Sequence, residues 1–249
     1  MTVAERIALA KIKVELVIHL LRTLIQVRTN NEFIVYSGTL AKQVGESYAA
    51  NAFNVLTASL YETELIRLCA VWDTAQNEQQ ARDRNSLPAI SWLLAPDDVV
   101  DVLSTRIKEA RLASEIRDLG PESDGTTREI LAEIQARLAQ KEADRVKDRL
   151  RTAKARIAEV AASDLHLGLK NFRDRHVAHS LVQTALDKKG KVAEAKYGHE
   201  KDLLDKTIDL TSDLYYGICD ASFSWESAWS ISRNCSEALF SKAALNVVR

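Results

Sequence analysis

At 249 residues, with 46% apolar and 28% charged side chains, the chain has the balance of a folded globular protein and enough length to bury a real core. Only 8 Gly and 3 Pro punctuate it, and period-2 runs of Val, Ile and Thr are nearly absent, which excludes a β-rich fold and predicts an all-α one built from long elements. The formal charge of −1 gives no overall attraction to nucleic acid or acidic membranes, so a nucleic-acid role has to rest on a local patch.

In chain order, the first helix is expected over about Val3 to Arg28, with Ile7, Ala10, Val14, Val17, Leu21 and Leu24 on one face and Asn30-Asn31 at its end. Charges at Glu5, Arg6, Lys11, Lys13 and Glu15 break any secretory or membrane-spanning run, so no membrane partner is expected. A second long helix is expected from Glu46 to Asp73, where Tyr48, Ala52, Val55, Leu56, Leu60, Ile66 and Ala70 recur at helical spacing. Gln76 to Asn85 reads as a polar loop. Ser86-Leu87-Pro88 then caps a short helix, and Pro96-Asp97-Asp98 opens the next with acids at its positive end.

Gly120 to Gly125 is the clearest break, and a long helix is expected to open beyond it at Thr126 or Thr127, with Ile130, Ile134, Leu138, Val146, Leu150, Ala153 and Ile157 stepping by three and four. The two helices flanking the break make an αα-hairpin at about residues 97–162, projecting from or packing along a bundle. Its apolar stripe is too narrow for a separate core, so residues 1–249 read as one helical domain. Arg137, Lys141, Arg145 and Arg149 recur every four residues along the hairpin, and the 137–156 window carries a net charge of +5. They are candidate RNA-backbone contacts, weighed against an ordinary solvated helix face. Ser163-Asp164 caps a helix expected to run to about Ala185, Asp187 to Lys191 reads as a solvated turn, and Glu200 to Val247 is helical with a bend near residues 222–224. Cys69, Cys219 and Cys235 show no CxxC pairing and fit a reduced, cytoplasmic protein.

The chemistry concentrates in Arg173-Asp174-Arg175-His176-Val177-Ala178-His179. A permanent cation and a group that exchanges protons near neutral pH are what phosphodiester cleavage needs. On an α-helix at about 100° per residue, Arg173, His176 and His179 span an arc about 120° wide, too broad to focus on one phosphate from one helix. Two copies facing across a dyad would do so, and would supply both an acid and a base. The competing reading is an ion-paired cluster in which Asp174 holds Arg173 or Arg175. His176-x2-His179 lacks a third ligand at a recognised spacing, so no metal site and no cofactor are expected. Trp225 and Trp229 read as a packed seam or dimer contact.

The segment Asn171 to Ser180 resembles the Arg-x4–6-His motif of the HEPN superfamily, and its form is most similar to the abortive-infection U-type branch. The stretch Leu68 to Asp73, Ser86-Leu87-Pro88 and the helical C-terminal region extend the resemblance over most of the chain, although only the motif is specific. The resemblance implies a HEPN-like bundle with an inserted hairpin, dimerisation, and a metal-independent endoribonuclease activity in phage defence or a toxin–antitoxin system. It assigns catalysis to Arg173 and His179, with Asp174 at the position after the arginine that is usually polar, and an antitoxin or other regulatory protein is a further expected partner. In the mechanism expected from these residues, Arg175 and His176 help bind the phosphate while Asp174 orients Arg173 or a histidine. Leu181 stands where some HEPN toxins carry a modifiable tyrosine, so regulation by that route is not expected. A non-catalytic helical module that binds a protein or RNA partner is the alternative, since some members of the superfamily do not cleave.

Overall fold

A computed structural model describes residues 1–115, 125–178, 184, 186–190, 194–243 and 245. Among them the chain is helical and forms no strand. The α-helices are α1 (Val3–Asn31), α2 (Thr39–Val44), α3 (Ala49–Ala70), α4 (Glu78–Asp83), α5 (Leu87–Leu93), α6 (Asp97–Glu115), α7 (Gly125–Ala162), α8 (Asp164–Phe172), α9 (His199–Cys219) and α10 (Trp225–Phe240). Two π-helical segments, Glu32–Tyr36 and Arg173–Ala178, follow α1 and α8. Most of the break from Gly120, together with His179 to Val182, Lys191 and Val247, lies outside the described residues. No helix among the described residues is long and apolar enough to cross a membrane.

The residues gather into two compact units. The first comprises Met1–Glu15, Thr74–Glu159 and Asp209–Ser222. Its core draws on Ile7, Val14, Leu87, Ile90, Val100 and Leu150, all at most 5% exposed. The hairpin helices meet here: Lys147 on α7 reaches Asp101 on α6 at 2.6 Å. The apolar stripe of α7 divides, with Val146, Leu150 and Ala153 buried while Ile130, Ile134 and Leu138 remain exposed. Where α7 meets α9, Gly217 has no side chain because an added Cβ would stand 2.5 Å from Leu150 Cδ2.

The 76–85 stretch, expected as a loop, contains α4. Asn77 caps it by accepting the Gln80 N–H at 2.9 Å, and Ala81 is buried. Its far end is held by the ammonium of Lys13, itself buried, which donates to the carbonyls of Arg82 (2.9 Å) and Arg84 (2.7 Å). A polar composition hid a helix whose stability comes from a cap and a remote lysine.

The second unit comprises Leu16–Asp73, Val160–Ile208 and Phe223–Arg249. Leu21, Leu24, Leu65, Leu68, Trp72 and Leu203 are fully buried in it. On α3 the buried side is Glu64, Leu65, Leu68 and Cys69. Several of the residues that recur at helical spacing face outward: Tyr48 is 94% exposed, Val55 67%, Leu56 50% and Ile66 44%. The final helical stretch breaks between Cys219 and Trp225, where Asp220 takes a positive φ of 50°.

Candidate functional site

Both the motif and the supports around it lie in the second unit. Ser163 caps α8 by accepting the His166 N–H at 3.3 Å. His166 is buried, and its Nδ1 lies 2.9 Å from the Ala161 carbonyl, which can only accept, so Nδ1 carries the proton. Burial pushes the imidazole below its ordinary value, and the ring packs 5.7 Å from Trp72. Trp72 Nε1 in turn donates to Thr207 Oγ1 at 2.9 Å. These contacts fix the start of α8 against the end of α3 and the first turns of α9.

Beyond Phe172 the winding changes. Arg173–Ala178 forms a π-helix packed on α3, not the α-helix expected through Ala185. The i→i+5 winding is wider than an α-turn and recurs at functional sites. The α-helical arc therefore does not describe Arg173 and His176. In the wider turn Arg173 binds its own neighbour, a pairing that consecutive residues of an α-helix do not make. Its Nε and Nη2 donate to Asp174 Oδ1 at 2.9 and 2.6 Å, while Nη1 lies 3.8 Å from Asp73. One guanidinium, only 17% exposed, thus faces two carboxylates.

Arg175 is held by a residue placed in a solvated turn by the sequence reading. Its Nη2 donates to Asp187 Oδ2 at 2.6 Å. The same carboxylate accepts Asn171 Nδ2 at 3.0 Å and the Thr184 backbone N–H at 2.9 Å, while the Asp187 N–H returns a bond to Thr184 Oγ1 at 3.1 Å. This reciprocal Thr-x-x-Asp arrangement is of the capping-box kind, and it was the signal in the sequence that could have found the clamp. The Thr184 N–H, then Arg175 and Asn171, hold the Asp187 carboxyl far below the usual carboxylate range. The clamp therefore stays ionised at neutral pH. His176 is exposed, with its ring 4.9 Å from Phe172. His179 lies outside the described residues.

A second polar cluster in this unit escaped the sequence reading because its members are far apart in the chain. Arg28 Nη1 donates to Glu64 Oε1 at 3.2 Å and Glu200 Oε1 at 3.1 Å, all three residues being buried. Asn31 donates to Glu64 Oε2 at 2.6 Å, and the Arg28 guanidinium lies over the Tyr36 ring at 4.4 Å. Burial raises the Glu64 carboxyl above its ordinary value. It also pushes the Cys69 thiol up to about 12, so that thiol is no nucleophile at neutral pH.

In the first unit, the cations of the α7 ridge are largely answered by acids. Arg137 pairs with Glu133 at 2.5 Å, Arg145 with Glu142 at 3.8 Å, and Arg149 with Asp213 at 3.5 Å. Arg149 also stacks 4.6 Å over Tyr216. Lys141 is exposed and, with Arg145 and Asp148, lines an open groove of about 560 Å³. Among the described residues, no group of three or more His, Cys, Asp or Glu side chains is placed to hold a metal ion.

A family model described as AbiU2, of the HEPN type, matches residues 12–234 of the chain. No curated protein and no solved structure matches it.

Proposed function

The chain belongs to the HEPN AbiU2 family, and from that premise we propose that it is a metal-independent endoribonuclease of a phage-defence or toxin–antitoxin system. The observation that carries the reading is the π-helical motif, which sets Arg173, Asp174 and Arg175 on a clamped segment beside the exposed His176 and immediately ahead of His179. The 2′-hydroxyl oxygen attacks phosphorus, the bond to the 5′-oxygen breaks, and a 2′,3′-cyclic phosphate and a 5′-hydroxyl result. One His179 takes the 2′-hydroxyl proton, and a second, protonated His179 gives one to the departing oxygen. Arg173 stabilises the charged phosphorane, Arg175 and His176 bind the phosphate, and Asp174 orients Arg173.

Two copies of His179 in one site come from two chains, so the proposed enzyme is a homodimer. The outward apolar stripe of α3, the helix on which the motif packs, supports this: large exposed apolar patches mark interaction surfaces. Lys141 and the neighbouring cations of α7 serve as a secondary RNA contact, screened by the acids that pair with them.

The test is cleavage of single-stranded RNA by purified wild type and His179→Ala in the presence of a chelator. Wild type is expected to yield 2′,3′-cyclic phosphate ends, and His179→Ala none while remaining folded and dimeric; an active His179→Ala overturns the assignment. A second reading, a non-catalytic module that binds a protein or RNA partner, is favoured by one observation: Arg173 and Arg175 are both already ion-paired within the chain. Growth inhibition on expression, relieved by Arg173→Ala, decides for the nuclease. Absence of both toxicity and RNA cleavage decides for the module.

A further inference from the structure

A cavity of about 450 Å³ opens beside the motif, and its walls are aromatic: Tyr36, Tyr61, Phe172 and Tyr197, with Lys196 at the rim. Its size is within the range of small-ligand sites. It adjoins the motif through Phe172, which directly precedes Arg173 and stands ring-to-ring with His176. Three of the walls are fixed. Tyr36 is pinned at one end by the buried carboxylates, its hydroxyl 3.4 Å from Glu200 Oε1, and covered by Arg28. Tyr61 and Phe172 brace one another edge to face at 6.3 Å. Burial raises the Tyr61 phenol to about 12 and raises that of Tyr36 as well, so both rings are neutral at physiological pH. The fourth wall, Tyr197, meets Tyr36 edge-on at 5.4 Å yet is 79% exposed.

We propose that this cavity takes one unpaired nucleobase of the RNA strand, adjacent to the phosphate that the motif engages. The aromatic lining calls for a flat π-system, which can stack on the exposed ring of Tyr197. Lys196, which lines the cavity, and the arginines of the motif, which follow Phe172 directly in the chain, call for a ligand that carries phosphate. A base within a strand joins both properties in one molecule. Stacking makes no demand on base identity, so the pocket would favour single-stranded over duplex RNA without reading a strict sequence. The strand's identity rests on the endoribonuclease reading, but its test does not.

The test is the affinity of the full chain for a short 2′-O-methyl RNA oligonucleotide, which cannot be cleaved, and for an abasic strand of the same length. Tyr197→Ala is expected to weaken binding of the base-bearing strand by roughly five- to a hundredfold, to leave the abasic strand unaffected, and to leave helicity unchanged. Tyr197→Phe is expected to bind as wild type does. Equal binding of the base-bearing strand by wild type and Tyr197→Ala, an equal loss for both strands, or no binding at all overturns the proposal. So does adenosine monophosphate displacing the strand at equal concentration, which would assign the cavity to a free nucleotide. Tyr197-dependent binding without cleavage of ordinary RNA refutes the nuclease reading alone, and cleavage with Tyr197-independent binding refutes the pocket alone.

Discussion

Arg28 illustrates how one side chain can balance a whole buried cluster. It meets Glu64 and Glu200 within the protein, so its removal leaves two desolvated carboxylates facing each other. Arg28→Met is expected to destabilise the fold by about 3–5 kcal/mol, as breaking a buried pair generally does. Glu64→Gln is expected to cost far less, because Arg28 and Glu200 still balance; chemical denaturation compares the two, and a mild Arg28→Met would contradict the network's role. His166 sets a pH dependence. Burial holds its imidazole below the ordinary value of 6.5, so the unfolded chain binds the proton more tightly than the folded one. Its contribution is then fully present above pH 6.5 and lost as pH falls through the lowered value. The stability advantage of wild type over His166→Gln should shrink as pH drops below 6.5, and an advantage that is flat with pH would show that the ring is not held neutral.

Helices are the scale at which the sequence was most informative. Three- and four-residue steps located α1, α3, α7 and α9, and Ser86 and Ser163 marked two starts correctly, because caps and apolar periodicity are local properties. What periodicity lacks is a direction. The stripe from Tyr48 to Ile66 is genuinely helical in spacing, yet faces away from the core of its own unit, and α4 carries too little apolar signal to be seen without its cap and Lys13. The π-winding of the motif was equally hidden, since nothing in Arg-Asp-Arg-His tells an i→i+5 turn from an i→i+4 one. The motif residues were legible, and so was the pairing of Asp174 with Arg173, whereas Asp73 and Asp187 were not, because the fold brings them in. Gly217 tests the packing of α9 on α7. In isolation an alanine there would favour the helix by about 1 kcal/mol, but its Cβ would collide with Leu150. Gly217→Ala is expected to lower unfolding stability by about 1–3 kcal/mol, and an unchanged or raised denaturation midpoint would show that the contact relaxes freely.

At the scale of the whole molecule, the proposed reaction requires two chains. In the proposed reaction one His179 is the base and a second, protonated His179 the acid, so a single chain supplies only one of the two. If the outward stripe of α3 is the dimer surface, a charge placed in it should separate the chains without unfolding them. Leu56→Glu is expected to give a helical monomer in sedimentation that no longer cleaves RNA, and a Leu56→Glu dimer would move the interface elsewhere on the molecule. The most direct measurement is the cleavage rate of a mixed dimer, purified through two different tags, in which one protomer is wild type and the other carries His179→Ala. A composite site needs both imidazoles, so the mixed dimer is predicted to be slower than wild type by on the order of a hundredfold or more. A mixed dimer that keeps half the wild-type rate would mean that each protomer holds a complete site of its own, and would contradict the account.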